Sequence, residues 1–399
     1  MAKASARISE EERLIIKRML DHCAAGTTDM VSEVGEHPVS NYASEARLQQ
    51  EMDTLFRLFP IAVGHVSQLA QTGDFLTHNS TGVPLLVTRN RSGDIKAFIN
   101  VCRHRGMEVA RLDEGEGGHA LSFTCPYHSW TYDLDGRLKG MPQPDGFGAV
   151  DKSKLSLIEL PAFERFGLIW VRPKPLEADE TLDIDAWLAP MAEQLDSLDL
   201  ANHVIFRTWS IDTKMNWRLA LEGFQECYHF CSAHKNTACA GYLNNQSVFL
   251  DQYPHVRHAV PLPHIAEYAD IDEADWSYRP NFMTQNFLFP CNFAQVMTDH
   301  VYVHSIFPTG PGTCVFKCMM LIPEAPENEK AERHWDRNYQ VVRTVFGEDF
   351  EIGEKIQQGL HSGANEHFLF GRYEYGLHLG RRAIDDAVDG RLRCPTISS

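Results

Sequence analysis

The sequence predicts an α+β protein: a small antiparallel β domain carrying metal-binding loops, joined to a mixed domain whose central antiparallel sheet is covered by helices. Three observations carry this. From Ile61 to Val171, short apolar runs such as VPLLVTR, IKAFIN, LSFTC and FGLIWVR are separated by Gly, Asp and Asn turns. Two cysteine–histidine pairs, Cys102 with His104 and Cys125 with His128, fall within that stretch. Beyond residue 183, helical runs (DAWLAPMAEQLDSL, NWRLALEGFQECYHF) give way to strand-like ones (SVFLDQY, NFLFP, FAQVMT, VYVHSIFP, TCVFKCMMLIP), and the tail from His334 to Val388 returns to helix.

At the start of the chain, residues 8–24 place Leu14, Ile15, Met19 and Leu20 at helical spacing behind a Ser9 cap and three glutamates. Gly26 breaks this helix, and a second is expected over about 45–56. The proline-containing acidic stretch 172–183 is expected to connect domains. The chain then divides into an N-terminal helical segment (1–55), a β domain (56–172) and a mixed domain (173–399). A length of 399 residues and 43% hydrophobic content fit two or three folded domains. A net charge of −17 with no basic tract argues against nucleic acid as a partner. No run approaches the eighteen apolar residues of a membrane span, and the charged N-terminus lacks a signal core, so a cytoplasmic protein without membrane contact is expected. Ten scattered cysteines without a secretory signal argue for thiols rather than a disulfide framework; the eight outside the pairs are expected to be reduced and buried.

The two pairs, separated by twenty residues, supply one Cys and one His from each of two loops, the donor set of a mixed-ligand 2Fe-2S cluster. Zinc also accepts two cysteines and two histidines, but the single residue between Cys102 and His104 is tighter than common zinc spacings. The stretch from Phe98 to Trp130, with FINVCRHRGMEVA and TCPYHSW, resembles the Rieske family. Met107 and Tyr127 stand where respiratory Rieske proteins carry a disulfide, so the chain is most similar to the ring-hydroxylating non-haem iron oxygenases, as their alpha or terminal oxygenase subunit.

That resemblance implies a second metal site, a mononuclear Fe(II) held by two histidines and a carboxylate with open positions for O2 and substrate. His229 and His234 offer the imidazoles, preceded by the matching triplet Asn216-Trp217-Arg218. Their i, i+5 spacing does not share a helix face, so the helix must end or distort around Cys231–Ala233. By spacing alone they are two histidines at a helix end; the resemblance makes them ligands. It also selects Asp349 as the third ligand, with the adjacent Glu348 as the alternative. Glu226 shares a helical face with His229 at i, i+3, and in the family a carboxylate here links an iron-ligating histidine to a cluster histidine of a neighbouring subunit. His128 is the expected contact across that junction. Most members carry Asp; Glu resembles the subgroup acting on quaternary ammonium compounds such as carnitine and betaine. Gly223 departs from the Asn found in many members.

The family resemblance implies oxygenation, as mono- or dioxygenase, of an aromatic or similarly hydrophobic small molecule by ring hydroxylation or demethylation; a quaternary amine is the alternative substrate. No dinucleotide-binding fingerprint is present, so electrons must come from a separate NAD(P)H-dependent reductase, directly or through a ferredoxin. A homotrimer is implied, with electrons crossing between subunits. Two or three of Trp276, Tyr278, Phe282, Phe287, Phe289, Phe293 and Tyr302 are expected to face the substrate. A Rieske electron carrier without catalytic iron is the reading from another class.

Overall fold

In the computed structural model, which describes residues 8–112, 116–177 and 180–398, Ser9 accepts a hydrogen bond from the Glu12 amide at 3.1 Å. Glu12 returns one to the Ser9 amide at 3.0 Å. This reciprocal cap starts helix α1, Glu10–Ala25, and Gly26 ends it at φ +63°, a left-handed position that costs glycine least. The second expected helix forms over Glu45–Leu58.

The chain divides into two units, Met1–Leu48 with Val204–Asp386, and Gln49–His203 with Ala387–Ser399. This departs from the divisions expected at 55/56 and 172/173, for identifiable reasons. Ile15, Ile16 and Met19 of α1 bury themselves against Val248, Ala259 and Phe282, so the N-terminal segment belongs with the larger sheet. Residues after 172 stay with the β domain: the Trp187 ring lies 5.4 Å from Phe59, His65 Nε2 donates to Leu200 O at 2.8 Å, and Thr396–Ser398 pairs with Glu180–Leu182. Residues 178 and 179 of the expected connection lie outside the described residues.

The unit containing Gln49–His203 is built from short antiparallel sheets. Five strands run in the order Glu159–Leu160, Ile95–Ile99, Leu85–Arg89, Asp74–His78, Gly117–His119; Ser122–Thr124, Thr131–Asp133 and Leu138–Gly140 make a three-stranded meander. The Cys102 loop follows Ile95–Ile99, and the Cys125 loop joins the first two meander strands.

The other unit centres on a seven-stranded antiparallel sheet. Its strands are β1 (Val204–Thr213), β2 (Val248–Gln252), β3 (His255–Pro261), β4 (Phe282–Leu288), β5 (Asn292–Val296), β6 (Val301–Gly310) and β7 (Thr313–Ile322), in the order β1-β7-β6-β5-β4-β3-β2. Besides α1, it is accompanied by α2 (Trp217–Glu222), α3 (Phe230–Ala233), α4 (Glu329–Leu360) and α5 (Tyr375–Val388). The single helix expected over 216–230 is thus two, separated by Gly223–His229. Glu226 explains the break, because its carboxylate accepts from the amides of Tyr228 and His229, groups that a continuous helix would bond to backbone carbonyls. Among the described residues, Cys231 and Cys239 are joined as a disulfide, and Cys23 and Cys394 are only partly buried, so the expectation of eight reduced, buried thiols is corrected.

Candidate metal centres

Two tight loops bring the four Cys/His residues together. In the first, Cys102 N donates to Met107 O at 2.7 Å and Gly106 N to Cys102 O at 3.0 Å, with Gly106 at φ +81°. Asn100 closes the loop by accepting from Val109 N and Ala110 N and donating to Ala110 O. The second repeats the pattern, with Cys125 N bonded to Trp130 O at 2.8 Å and Ser129 N to Cys125 O at 3.0 Å. Cys102 and Cys125 are 3% and 2% exposed, while the His104 and His128 rings lie 4.5 Å apart. Trp130 stacks on His104 at 4.9 Å, and His104 Nδ1 is buried without a protein partner. Two thiols in contact, two neighbouring imidazoles and an orphaned ring nitrogen fit a 2Fe-2S cluster. Tyr132, which no motif singled out, places its hydroxyl 3.4 Å from Cys102 Sγ and accepts from Arg103 N. A hydroxyl on a cluster sulfur raises the reduction potential.

In the other unit, donor atoms of His229, His234 and Asp349 all lie within 4.8 Å of one another. The arrangement follows from what holds each ring. His229 Nδ1 donates to Glu226 Oε1, and His234 Nδ1 donates to Glu348 Oε2 at 2.7 Å. Both Nε2 atoms are thereby turned to the same oxygen, Asp349 Oδ1, at 3.6 Å from His229 and 2.9 Å from His234. Burial opposes charge on either ring, yet Glu226 and Asp349 around His229, and Asp349 and Glu348 around His234, outweigh it and raise both proton affinities. A pocket that holds protons this way also suits a divalent cation, and two Nε2 atoms with one carboxylate are the donor set of non-haem iron. Glu348, the alternative third ligand by sequence, instead fixes His234 and accepts from Thr237 Oγ1 at 2.6 Å. Removing such a support typically costs 10- to 100-fold in metal affinity. Glu348→Ala should therefore weaken Fe(II) binding by about that factor, measured by competition with a chelator, with iron content at saturation unchanged.

Two cavities meet His229 and Asp349. The first, of about 690 Å³, also takes in His234 and is walled by Phe224, Phe230, Tyr242 and Phe346, with Gln285 and Gln295 on the sheet side. Two or three of the seven aromatic residues were expected at the substrate; Tyr302 alone of them lines this cavity. Trp276, Tyr278 and Phe282 form the seat of α1, Phe287 and Phe293 stack in the core, and Phe289 lines a separate recess.

The second cavity, of about 570 Å³, includes Glu222, Glu226 and Glu374. Glu222 accepts from the Tyr42 hydroxyl at 2.8 Å, and burial, with Glu374 adding to it, pushes its carboxyl up to about 8 against the opposing effects of Tyr42 and Arg218. The folded state therefore keeps this proton over a range in which the unfolded chain has lost it. Stability from the group is complete below the ordinary carboxyl pKa and is lost as pH rises through about 8. In Glu222→Gln that loss should disappear, seen as a smaller fall in melting temperature than wild type between mildly acidic and mildly alkaline buffer.

Sequence comparison assigns these two centres to known domains. Residues 59–162 match the model of the Rieske [2Fe-2S] domain, and residues 200–390 match that of the ring hydroxylating alpha subunit catalytic domain. The chain belongs to the Rieske ring-hydroxylating oxygenases. This Rieske oxygenase is 28% identical over 334 residues to the carnitine monooxygenase oxygenase subunit of Acinetobacter baumannii, covering 80% of this chain and 84% of that protein. It is 34% identical over 196 residues to the biphenyl 2,3-dioxygenase alpha subunit of Rhodococcus jostii, covering 47% and 41%. Its fold is similar to that of the quaternary ammonium Rieske monooxygenase CntA in complex with L-carnitine, with a TM-score of 0.75 at 22% identity over 92% of this chain and 98% of that one. As a Rieske oxygenase alpha subunit it is a terminal oxygenase component that carries a 2Fe-2S cluster and a mononuclear iron and works with a reductase, O2 and a small-molecule substrate. No helix among the described residues is long and apolar enough to cross a membrane.

Proposed function

We propose that this Rieske oxygenase acts on a C–H bond of a predominantly apolar small molecule, by hydroxylation or demethylation. The observation that carries this reading is the cavity of about 690 Å³ that ends on His229, His234 and Asp349 between aromatic walls. The iron supplies reductive O2 activation, and the 2Fe-2S cluster supplies single electrons. Cys102 and Cys125 would hold one cluster iron, His104 and His128 the other; His229, His234 and Asp349 would hold the mononuclear iron. The chain's further contribution is orientation: Glu226 and Glu348 fix the two imidazoles, and the rings of Phe224, Phe230 and Phe346 exclude water from the substrate's apolar body. In this reading the chain forms a homotrimer in the cytoplasm, Glu226 meets His128 of a neighbouring subunit, and an NAD(P)H-dependent reductase feeds the cluster directly or through a ferredoxin.

A second reading, oxidation of a quaternary ammonium compound, is supported by glutamate at position 226 and by the length over which the carnitine monooxygenase subunit matches. Against it, Asp349 is the sole carboxylate among the described residues of the cavity lining, and Arg337 stands in the same wall. A trimethylammonium group would rely on ring faces alone. NAD(P)H-driven O2 uptake with a partner reductase, with product identification, separates the two. Oxidised products from monocyclic aromatics such as toluene would uphold the first reading; turnover confined to carnitine- or betaine-like compounds would replace it with the second.

A further inference from the structure

The sheet behind the substrate cavity carries a polar row that the ligand sets do not use, and Gln285, Gln295 and Tyr302 of that row line the cavity. Register places His258 of β3 opposite Gln285 of β4, Gln285 opposite Gln295 of β5, and Gln295 opposite Tyr302 of β6, so the four side chains share one face. The next pairs along are apolar or closed: Phe287, Phe293 and His304 pack together under Phe224 and Phe346. Within the polar row, Tyr302 donates to Asn338 O at 3.0 Å, and the Gln295 carbonyl accepts from His304 Nε2 at 3.2 Å. His304, fully enclosed, is driven down to about 3 and is neutral, so it can donate there.

Gln285 has no such arrangement. Its side chain is 2% exposed and lines the cavity, its carbonyl oxygen is buried without a partner, and among the described residues its amide makes no hydrogen bond. His300, one position before β6, lines the same cavity at 3% exposure. Its Nδ1 donates to Asp299 at 2.6 Å, and its Nε2 is buried and unpartnered. The turn that presents it is fixed: Met297 N donates to His300 O at 2.9 Å, and Arg279 donates to Met297 O at 2.9 Å and to His300 O. Buried polar groups are almost always satisfied, and each that is not calls for an explanation, of which a bound partner is one. Both unsatisfied groups line the cavity that ends on the proposed iron ligands.

We propose that Gln285, assisted by His300, forms a recognition subsite for an uncharged substrate group that both donates and accepts hydrogen bonds, a hydroxyl or a carboxamide. A primary amide with both functions free complements such a group, whereas a bare hydrocarbon or a trimethylammonium head offers it nothing. This inference deepens the reading of the cavity as the substrate site and rests on it. The chain then selects substrates by a polar handle held on the sheet wall, and the apolar remainder of the molecule lies against the rings.

The test is calorimetric binding of toluene, benzyl alcohol and benzamide to anaerobic protein loaded with cluster and Fe(II), for wild type and Gln285→Met. Benzyl alcohol or benzamide should bind wild type about tenfold more tightly than toluene, the effect of one or two ordinary hydrogen bonds; which of them is tighter identifies the group. In Gln285→Met the preference should vanish while toluene binds as before, and the ligand-free variant should melt no lower than wild type, because no internal bond has been broken. Equal binding of all three probes by wild type, or no binding, overturns the proposal without recourse to the variant. So does a Gln285→Met variant that keeps the preference or unfolds, since the amide would then be serving the fold. Because binding and not turnover is read, a probe that shows the preference yet is never oxidised counts against the functional reading and leaves the subsite standing.

Discussion

Replacing His234 by alanine is expected to remove the mononuclear iron, leave the 2Fe-2S cluster in place and reduce substrate-dependent O2 uptake to background. His234 is 1% exposed and its Nε2 lies 2.9 Å from Asp349 Oδ1, which places it inside the proposed ligand set. Loss of the ring leaves two of the three proposed protein donors and also strands Glu348, which would face Asp349 without an imidazole between them. Two close carboxylates without a shared partner repel, which further opens the site. The cluster residues sit in the other unit, Gln49–His203, built from its own sheets and loops. Its visible spectrum and labile sulfide should therefore not change. Iron per chain, falling by one equivalent at constant sulfide, is the decisive measurement. Iron retained at the wild-type level after anaerobic loading would remove His234 from the ligand set.

Substituting Glu226 by glutamine should have the second-largest effect, on electron supply. Glutamine keeps the length but has one acceptor oxygen: turned to Tyr228 N and His229 N it preserves the two amide bonds that shape this loop, while its NH2 replaces the acceptor that faced His229 Nδ1. What disappears is the negative charge beside His229, which with Asp349 raises the ring's proton affinity against its burial. Iron should remain bound, while turnover falls by about 10- to 100-fold, the usual range for losing a carboxylate behind a ligating histidine. The chemically reduced cluster should then reoxidise slowly in a single turnover with substrate and O2, and Glu226→Asp, which keeps the charge, should recover part of the rate. Loss of iron in Glu226→Gln would assign Glu226 to holding the metal; wild-type reoxidation would remove it from the electron path.

The cluster loops were legible because their chemistry is local. Cys102 and His104, and Cys125 and His128, each sit within one turn, so spacing alone encodes the geometry. The cap at Ser9 and Glu12 is legible for the same reason. The third proposed ligand was legible only through the family resemblance, which selected Asp349: Asp349 and Glu348 are adjacent, both reach the histidines, and the roughly 100° between successive helical residues sends one to the Nε2 side and the other to Nδ1. That distinction depends on how a helix more than a hundred residues away docks, which no local pattern records. Glu226 was expected on a helix at i, i+3 from His229; the contact is present, but a capping loop provides it. The sheet rings were misjudged because their facing is set by strand register and by α1, which claims Trp276, Tyr278 and Phe282. Gln285 carries no sequence signal either, since glutamine in a strand is ordinary until its neighbours show that nothing answers it.

Helix α4 is one uninterrupted rod of 32 residues, about 48 Å long. Asn338, Val342 and Phe346 of its near half face the substrate cavity, Asp349 and Glu348 reach the histidines, and Gln357 further along donates to Tyr42 O and accepts from Asn216 N. A rod anchored beyond the metal and loaded ahead of it behaves as a lever. Cavity wall and carboxylate therefore share one backbone, so a shift of Val342 or Phe346 is a shift of the same rod that carries Asp349.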